Sequence, residues 1–151
     1  MSSSPVLGLY FKVSFTKIGG LDTEINFQEV TGLGASIDVE TLEEGGNTYF
    51  TYNLPKKTKN EKIVLKRALT KPAESKELLE WIENAIYNFD FKPIELKVIL
   101  LNSNKVPIKG WSFSYVIPTK IDYSGMNAIT QALIIETLEL SYLYASPIND
   151  N

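Results

Sequence analysis

The sequence predicts a mainly β fold, a β-barrel or sandwich of about seven strands with one flanking α-helix. Three observations carry this. Apolar and polar residues alternate with a period of two through most of the chain. A single segment has helical period instead. Turn-forming residues (Gly19-Gly20, Gly45-Gly46, Asn102 to Lys105) and prolines (Pro55, Pro93, Pro118) punctuate the apolar runs.

The elements follow in order. In Leu9 to Phe15 the apolar Phe11, Val13 and Phe15 alternate with Lys12 and Ser14, which makes a half-buried strand ended by Lys17-Ile-Gly-Gly20. Phe27-Gln-Glu-Val-Thr-Gly-Leu33 also has strand character. Ala35, Ile37 and Val39 alternate with Ser36, Asp38 and Glu40, a strand with an acidic face. Gly45-Gly46-Asn47 supplies the positive φ of a reversal. The aromatic and β-branched run Thr48 to Tyr52 returns as a strand, expected to stop at Pro55. Ile63 to Leu69 is the next. After Ser75, a candidate N-cap, Leu78, Leu79, Ile82, Ala85, Ile86 and Phe89 form the stripe of an amphipathic helix lying against the sheet. Ile94, Leu96, Val98 and Leu100 share a strand face, and Asn102 to Lys105 reads as a hairpin turn. Trp111, Phe113, Tyr115 and Ile117 form an aromatic ladder, expected to end at Pro118. A long last strand runs from about Ile129 to Tyr144. Its apolar residues lie on both faces, which predicts burial on both sides. Met1 to Pro5 and Ser146 to Asn151 are expected to be loose.

With 151 residues, 44% apolar and 22% charged, the chain is sized for one domain with a real core. Its formal net charge of −3 argues for neither nucleic acid nor a membrane surface. No apolar run approaches the roughly 20 residues of a membrane helix. Met1-Ser-Ser-Ser-Pro5 lacks the pattern of a secretory signal, so synthesis in the cytoplasm is expected.

The missing residue types narrow the function further. Without Cys there is no disulfide, thiolate nucleophile or Cys-based metal site. Without His, the side chain best suited to proton transfer near neutrality is absent, and Ser-His and Cys-His devices are excluded. Arg67 is the lone arginine, so there is no bidentate phosphate clamp. Glu136 and Glu139 fall on opposite faces of one strand and cannot act on one bond as a glycosidase pair does. Glu77, Glu80 and Glu83 lie on the helix side away from its apolar stripe, a solvated face rather than a metal site. Gly19-Gly20 and Gly45-Gly46 lack phosphate-loop spacing. Trp81 and Trp111 read as core anchors. No cofactor is expected, and no catalytic or metal site.

Charge is segregated along the chain. Between Leu21 and Gly46 the charged residues are all acidic (Asp22, Glu24, Glu29, Asp38, Glu40, Glu43, Glu44). Between Pro55 and Lys71 they are basic (Lys56, Lys57, Lys59, Lys62, Lys66, Arg67, Lys71) apart from Glu61. One reading is solvated strand faces and loops. Another is self-complementarity: a contact that is acidic on one side and basic on the other, and does not close on itself, builds a filament. A lysine patch for nucleic acid is the third, weakened by the lack of arginines and of aromatics for base stacking.

Leu9 to Phe15 with Gly19-Gly20, Phe27-Gln-Glu-Val-Thr-Gly-Leu33, Glu43-Glu-Gly-Gly-Asn47, Leu54-Pro55, Ile63-Val-Leu-Lys-Arg67, Trp81 and Glu136-Thr-Leu-Glu-Leu140, in that order and spacing, resemble the tail-tube family. That family comprises the inner tubes of contractile phage tails and phage-tail-like injection particles, and is more distantly similar to the hexameric tube protein of type VI secretion. The resemblance spans about Leu7 to Tyr144. Two positions depart from the family pattern: Ala68 stands where a Gly often follows the Lys-Arg pair, and Asn60-Glu61 where an aromatic-Pro pair is common.

The resemblance implies a single tail-tube-like β-barrel domain over residues 1–151. It implies a non-enzymatic subunit whose six copies form a ring, the rings stacking into a hollow tube inside a contractile sheath. Sheath, baseplate or spike, and cap proteins are the implied partners, with cargo in the lumen, no direct membrane binding, and nucleic acid only in a true phage tail. The implied setting is a virion or an injection device, extracellular devices included. Glu43, Glu44, Gly45, Gly46, Asn47, Lys56, Lys57 and Lys59 are candidate subunit-interface residues. Alternation offers Ser36, Asp38 and Glu40 as a polar, lumen-facing strand face. The competing reading is a small ligand-binding β-barrel module with an aromatic cleft.

Overall fold

The computed structural model describes residues 8–18, 21–35, 37–42, 52–58, 62–69, 76–124 and 134–149. Among them are ten strands and one helix. The elements are β1 (Tyr10–Ile18), β2 (Leu21–Phe27), β3 (Glu29–Thr31), β4 (Ile37–Leu42), β5 (Tyr52–Thr58), β6 (Ile63–Leu69), α1 (Lys76–Asn88), β7 (Ile94–Leu101), β8 (Pro107–Ser124), β9 (Ile134–Ser141) and β10 (Tyr144–Ile148). The fold is mainly β and sandwich-like, as expected. Met1 to Pro5, the Gly19-Gly20 pair, Thr48 to Thr51, the N-cap candidate Ser75 and Ile129 to Leu133 lie outside the described residues.

Two antiparallel layers share β8. The first runs β2-β1-β7-β8-β10 and the second β3-β6-β9-β8. The 18-residue β8 bridges them: its N-terminal half pairs with β7 and β10, its C-terminal half with β9. At the far end the chain bends at Gln28, leaving β1's edge as β2 and meeting β6 as β3, where the Gln28 N–H donates to the Lys66 carbonyl at 3.1 Å. The layers are therefore joined covalently at that end, and among the described residues no ladder closes them. β4 and β5 form a separate two-stranded hairpin.

Alternation places the core between the layers. Val13 and Phe15 of β1, Ile25 and Phe27 of β2, Ile63 and Leu65 of β6, Leu96 and Val98 of β7, and Leu138 and Leu140 of β9 are all buried. Each such side chain contributes about 1.5–3 kcal/mol on burial. α1 adds Leu78, Trp81, Ile82 and Ala85 to the buried set. Trp81 meets Phe15 edge-on at 6.3 Å, and its Nε1 donates to the Lys92 carbonyl at 2.7 Å. Trp111 packs against the same core but stays half-buried. Glu77, Glu80 and Glu83 face solvent. The Asn102 turn forms as expected. Its side-chain oxygen accepts from the N–H groups of Asn104 (2.8 Å) and Val106 (3.0 Å).

Several expectations are corrected. Pro55 does not stop a strand. It lies within β5 opposite Val39, in a two-stranded hairpin that pairs with no further strand among the described residues, where proline is tolerated. Pro118 lies inside β8 at the register shift between Pro118 and Lys120, beyond the last pairing with β7 (Ile94 opposite Val116). The aromatic ladder breaks after Phe113. Tyr115 takes φ 60 and is 59% exposed, while Val116 is buried in its place. The cause is a bulge in the strand opposite Ile94 to Leu96. Phe89 leaves the helix stripe: it takes φ 52 just past the helix end and is 82% exposed. A left-handed residue at that position is a common way to end a helix. Ser146 to Ile148 are not loose but form part of β10, and Ile148 covers Gly110, whose missing side chain makes the room. Of the long last strand, the described residues form β9 and β10, both paired along β8 with a break at Tyr142-Leu143. Its burial is one-sided rather than two-sided: Glu136, Leu138 and Leu140 are buried, while Ile135, Thr137 and Glu139 on the other face are half-buried.

Candidate assembly surfaces

The charged residues distribute by strand register. Of the candidate interface residues, Glu43, Glu44, Gly45, Gly46, Asn47 and Lys59 lie outside the described residues, as does Ser36. Lys56 and Lys57 stand in β5, and Asp38 and Glu40 in β4, with side chains outside the description. Ile37 pairs with Thr58 and Val39 with Pro55, so the bulge sets the Lys56-Lys57 step opposite Asp38. Glu29 of β3 likewise stands directly opposite Lys66 of β6. The acidic and basic segments are thus neighbours in strand register at two places within the subunit.

The second layer has a polar outer face. Across its strands Glu29, Lys66, Thr137 and Asp122 form one cross-strand row, and Thr31, Val64, Glu139 and Lys120 form the next. These residues are exposed or half-buried. The Lys120 ammonium reaches the Glu139 carboxylate at 4.0 Å. Their strand neighbours Leu65, Leu138, Ile63 and Leu140 point the other way, into the core.

One polar cluster lies on the core side, and the sequence reading misses it. Arg67, Glu136 and Tyr123 are cross-strand partners on β6, β9 and β8. Arg67 Nε donates to Glu136 Oε1 at 2.9 Å, and the guanidinium sits 5.6 Å from the Phe27 ring centroid. That distance is within reach of a cation–π attraction. The Tyr123 hydroxyl donates to the same carboxylate. Burial, then the Glu136 charge and this hydrogen bond, push its pKa up from 10.0 to about 12. The sequence does carry a signal for the cluster. Glu136 is in phase with Leu138 and Leu140, and Arg67 with Ile63 and Leu65, so both have to be buried and paired. This cluster is a structural tie, not a catalytic device. Among the described residues no buried side-chain polar atom lacks a partner.

Strand edges are the remaining feature of these surfaces. Among the described residues nothing pairs with β3 on the side away from β6, or with residues 117–124 of β8 on the side away from β9. The outer edges of β2 and β10 are likewise unpaired. Unpaired edges in a β protein are built either to be guarded or to be joined. A family model for the T4-like virus tail tube protein gp19 matches residues 8–146, from before β1 into β10. The chain belongs to this tail-tube family. It is similar in fold to a chain in the baseplate of the anti-feeding prophage, with 22% identity, a TM-score of 0.77, and 99% of this chain and 98% of that one covered. It is similar also to a chain in the sheath-tube complex of PVC, an extracellular contractile injection system, in its extended state (19% identity, TM-score 0.75, 98% and 94% covered). A type six secretion system protein is a more distant likeness (11% identity, TM-score 0.62, 93% and 83% covered). No curated protein matches. Tail-tube proteins are structural subunits, so the family agrees with a chain that lacks His and Cys and is not an enzyme.

Proposed function

We propose that this chain, acting over its whole length as one tail-tube domain, is the inner-tube subunit of a phage-tail-like contractile injection particle. Six copies form a ring, and rings stack into a hollow tube within a sheath. The observation that carries this is the tail-tube family match across residues 8–146, on a fold whose strand edges are unpaired among the described residues. An isolated subunit with such edges is prone to uncontrolled pairing, and ring closure removes them. Sheath, baseplate and cap proteins are its partners, by likeness to chains found in such complexes.

Within this reading the β4–β5 hairpin is the stacking arm. Glu43, Glu44, Gly45, Gly46 and Asn47 fall between its two strands, and Lys56, Lys57 and Lys59 belong to its return. Ser36, Asp38 and Glu40 contribute polar side chains to the channel, where a wet wall lets cargo pass. Negative-stain imaging of the purified protein tests the proposal. Rings or tubes are the expected result. A protein that stays a compact monomer at all concentrations would overturn it.

A further inference from the structure

We infer that Gln28 is a latch that holds β3 on β6 at the corner where the chain passes between the two layers. Its side-chain carbonyl takes the place of the main chain that turns away opposite Ala68. The device belongs to the single subunit and stands apart from the tube reading. It also gives a role to Phe27-Gln-Glu-Val-Thr-Gly-Leu33, a segment the assembly alone does not account for.

β3 is too short to hold itself. It has three residues, and among the described residues it pairs with β6 alone. Val30 stands opposite Leu65 and packs half-buried against the core, while Glu29 and Thr31 are exposed. One partly buried side chain and a one-sided ladder are the marks of a segment that opens easily. An open β3 would bare the edge of β6, a template for uncontrolled pairing. The ends of the strand therefore have to hold it.

At the first end the chain leaves the ladder. Glu29 stands opposite Lys66, so the same register would bring Phe27 opposite Ala68. Phe27 is instead the last residue of β2, opposite Phe11 of β1, with its ring buried. The main-chain groups of Lys66 face β3, because its carbonyl accepts from the Gln28 N–H at 3.1 Å. Those of Ala68, two residues on, face the same way. Ala68 would thus carry a donor with no strand to accept it. Gln28 Oε1 accepts from the Ala68 N–H at 2.9 Å. One residue bonds β6 twice, by main chain and by side chain, across the corner. An apolar side chain of the same length would turn the corner but accept nothing.

At the other end Gly32 takes φ 89 and lets its backbone lie against the Lys62 carbonyl, just before β6 begins. Leu33 then returns to the core. The segment divides its work by position. Phe27 and Leu33 anchor in the core, Val30 sets the face, and Gln28 and Gly32 fix the ends. Gln28 is itself exposed, so neither burial nor charge accounts for it.

Amide hydrogen exchange of the soluble subunit tests the latch. The Ala68 bond lies at the surface, so water reaches the N–H once its acceptor is gone. In Gln28→Met the Ala68 amide should exchange about tenfold faster, the loss of one net hydrogen bond. The amides of Val64 and Lys66, which face β3, should exchange severalfold faster. Leu65 faces β9, and Val98 lies in β7, so both should keep their rates. Gln28→Asn keeps the amide but falls one methylene short, and it should behave as Gln28→Met does. Gln28→Glu keeps an oxygen at the same reach and should retain the parental rates. Unchanged exchange at Ala68 in both Gln28→Met and Gln28→Asn would overturn the bond. A rise at Ala68 with Val64 and Lys66 unchanged would overturn the latch, because the bond would then hold no strand. Faster exchange at Val98 in both variants would replace a local latch by a general loss of stability, and overturn it as well. None of these outcomes requires rings, so they are decided separately from the tube reading.

Discussion

Arg67 Nε lies 2.9 Å from Glu136 Oε1 on the core side of the sheet, with the two side chains only 12% and 11% exposed. The lone arginine of the chain is thus spent on an internal pair. It ties β6 to β9, lies over Phe27 of β2 and shares its carboxylate with Tyr123 of β8. Such a pair is costly to break rather than strongly stabilising in itself, because the partner left behind keeps its charge in a poorly solvated place. Arg67→Met is expected to destabilise the chain by about 3–5 kcal/mol. Adding Glu136→Leu should recover most of that loss. Urea denaturation of the two variants measures both numbers, and a double variant as unstable as the single one would refute the account.

Tyr123 gives a spectroscopic readout of the same cluster. Its raised pKa means that the folded chain favours the neutral phenol. The associated stability is fully present below about pH 10 and is lost as the pH rises towards 12. Since 38% of the residue stays exposed, solvent screens part of this, and the change in stability is modest. Titration of tyrosinate absorbance, parent minus Tyr123→Phe, should show one phenol ionising at about 12. A difference curve centred at the ordinary 10.0 would show that the hydroxyl is not held by Glu136.

Gly32 tests the junction between β3 and the strands that follow. It takes φ 89, and a Cβ there would land on the Lys62 carbonyl oxygen, which is backbone and cannot swing aside. Gly32→Ala should therefore cost about 1–3 kcal/mol for the backbone conformation alone, with the clash added. Gly34 has open space around it, so Gly34→Ala is the control, expected to lose far less. Thermal melts of the two variants decide the matter, and equal melting temperatures would contradict the assignment.

What the sequence reveals depends on how locally each feature is determined. β1, β6, β7 and α1 follow from alternation or helical period because each packs one continuous face on the core. β2 carries the same signal, with Ile25 and Phe27 buried and Glu24 and Asn26 exposed, but its acidic residues draw attention to charge instead. The shift at Tyr115 is set by a bulge against β7, a tertiary event that no local pattern encodes. Pro55 and Pro118 mislead because proline forbids a ladder bond, not a strand, and both stand where the ladder is already interrupted or one-sided. The Arg67–Glu136 tie joins residues 69 positions apart, so neither residue announces its partner. Their phase within apolar runs does announce that each needs one.

The final prediction concerns stacking. Part of the charge segregation is already matched inside the subunit, where Glu29 stands opposite Lys66. In the proposed stacking arm, the acids between the hairpin's strands and the lysines on its return meet between rings. An exposed pair contributes only about 0–1 kcal/mol. A ring repeats every pair in each copy, so small terms accumulate and set the register of stacking. Exposed pairs are screened over roughly 8 Å at physiological salt. Tube formation followed by light scattering should therefore weaken as sodium chloride is added at fixed protein concentration. Reversal of Lys56, Lys57 and Lys59 to Glu should weaken it further while circular dichroism stays that of the folded parent. Gly46→Val should likewise impair assembly more than folding if the reversal needs a positive φ, which β-branched residues resist. Tubes that form equally well at all salt concentrations, and from the triple reversal, would leave apolar burial and backbone pairing at strand edges as the forces that hold the rings together.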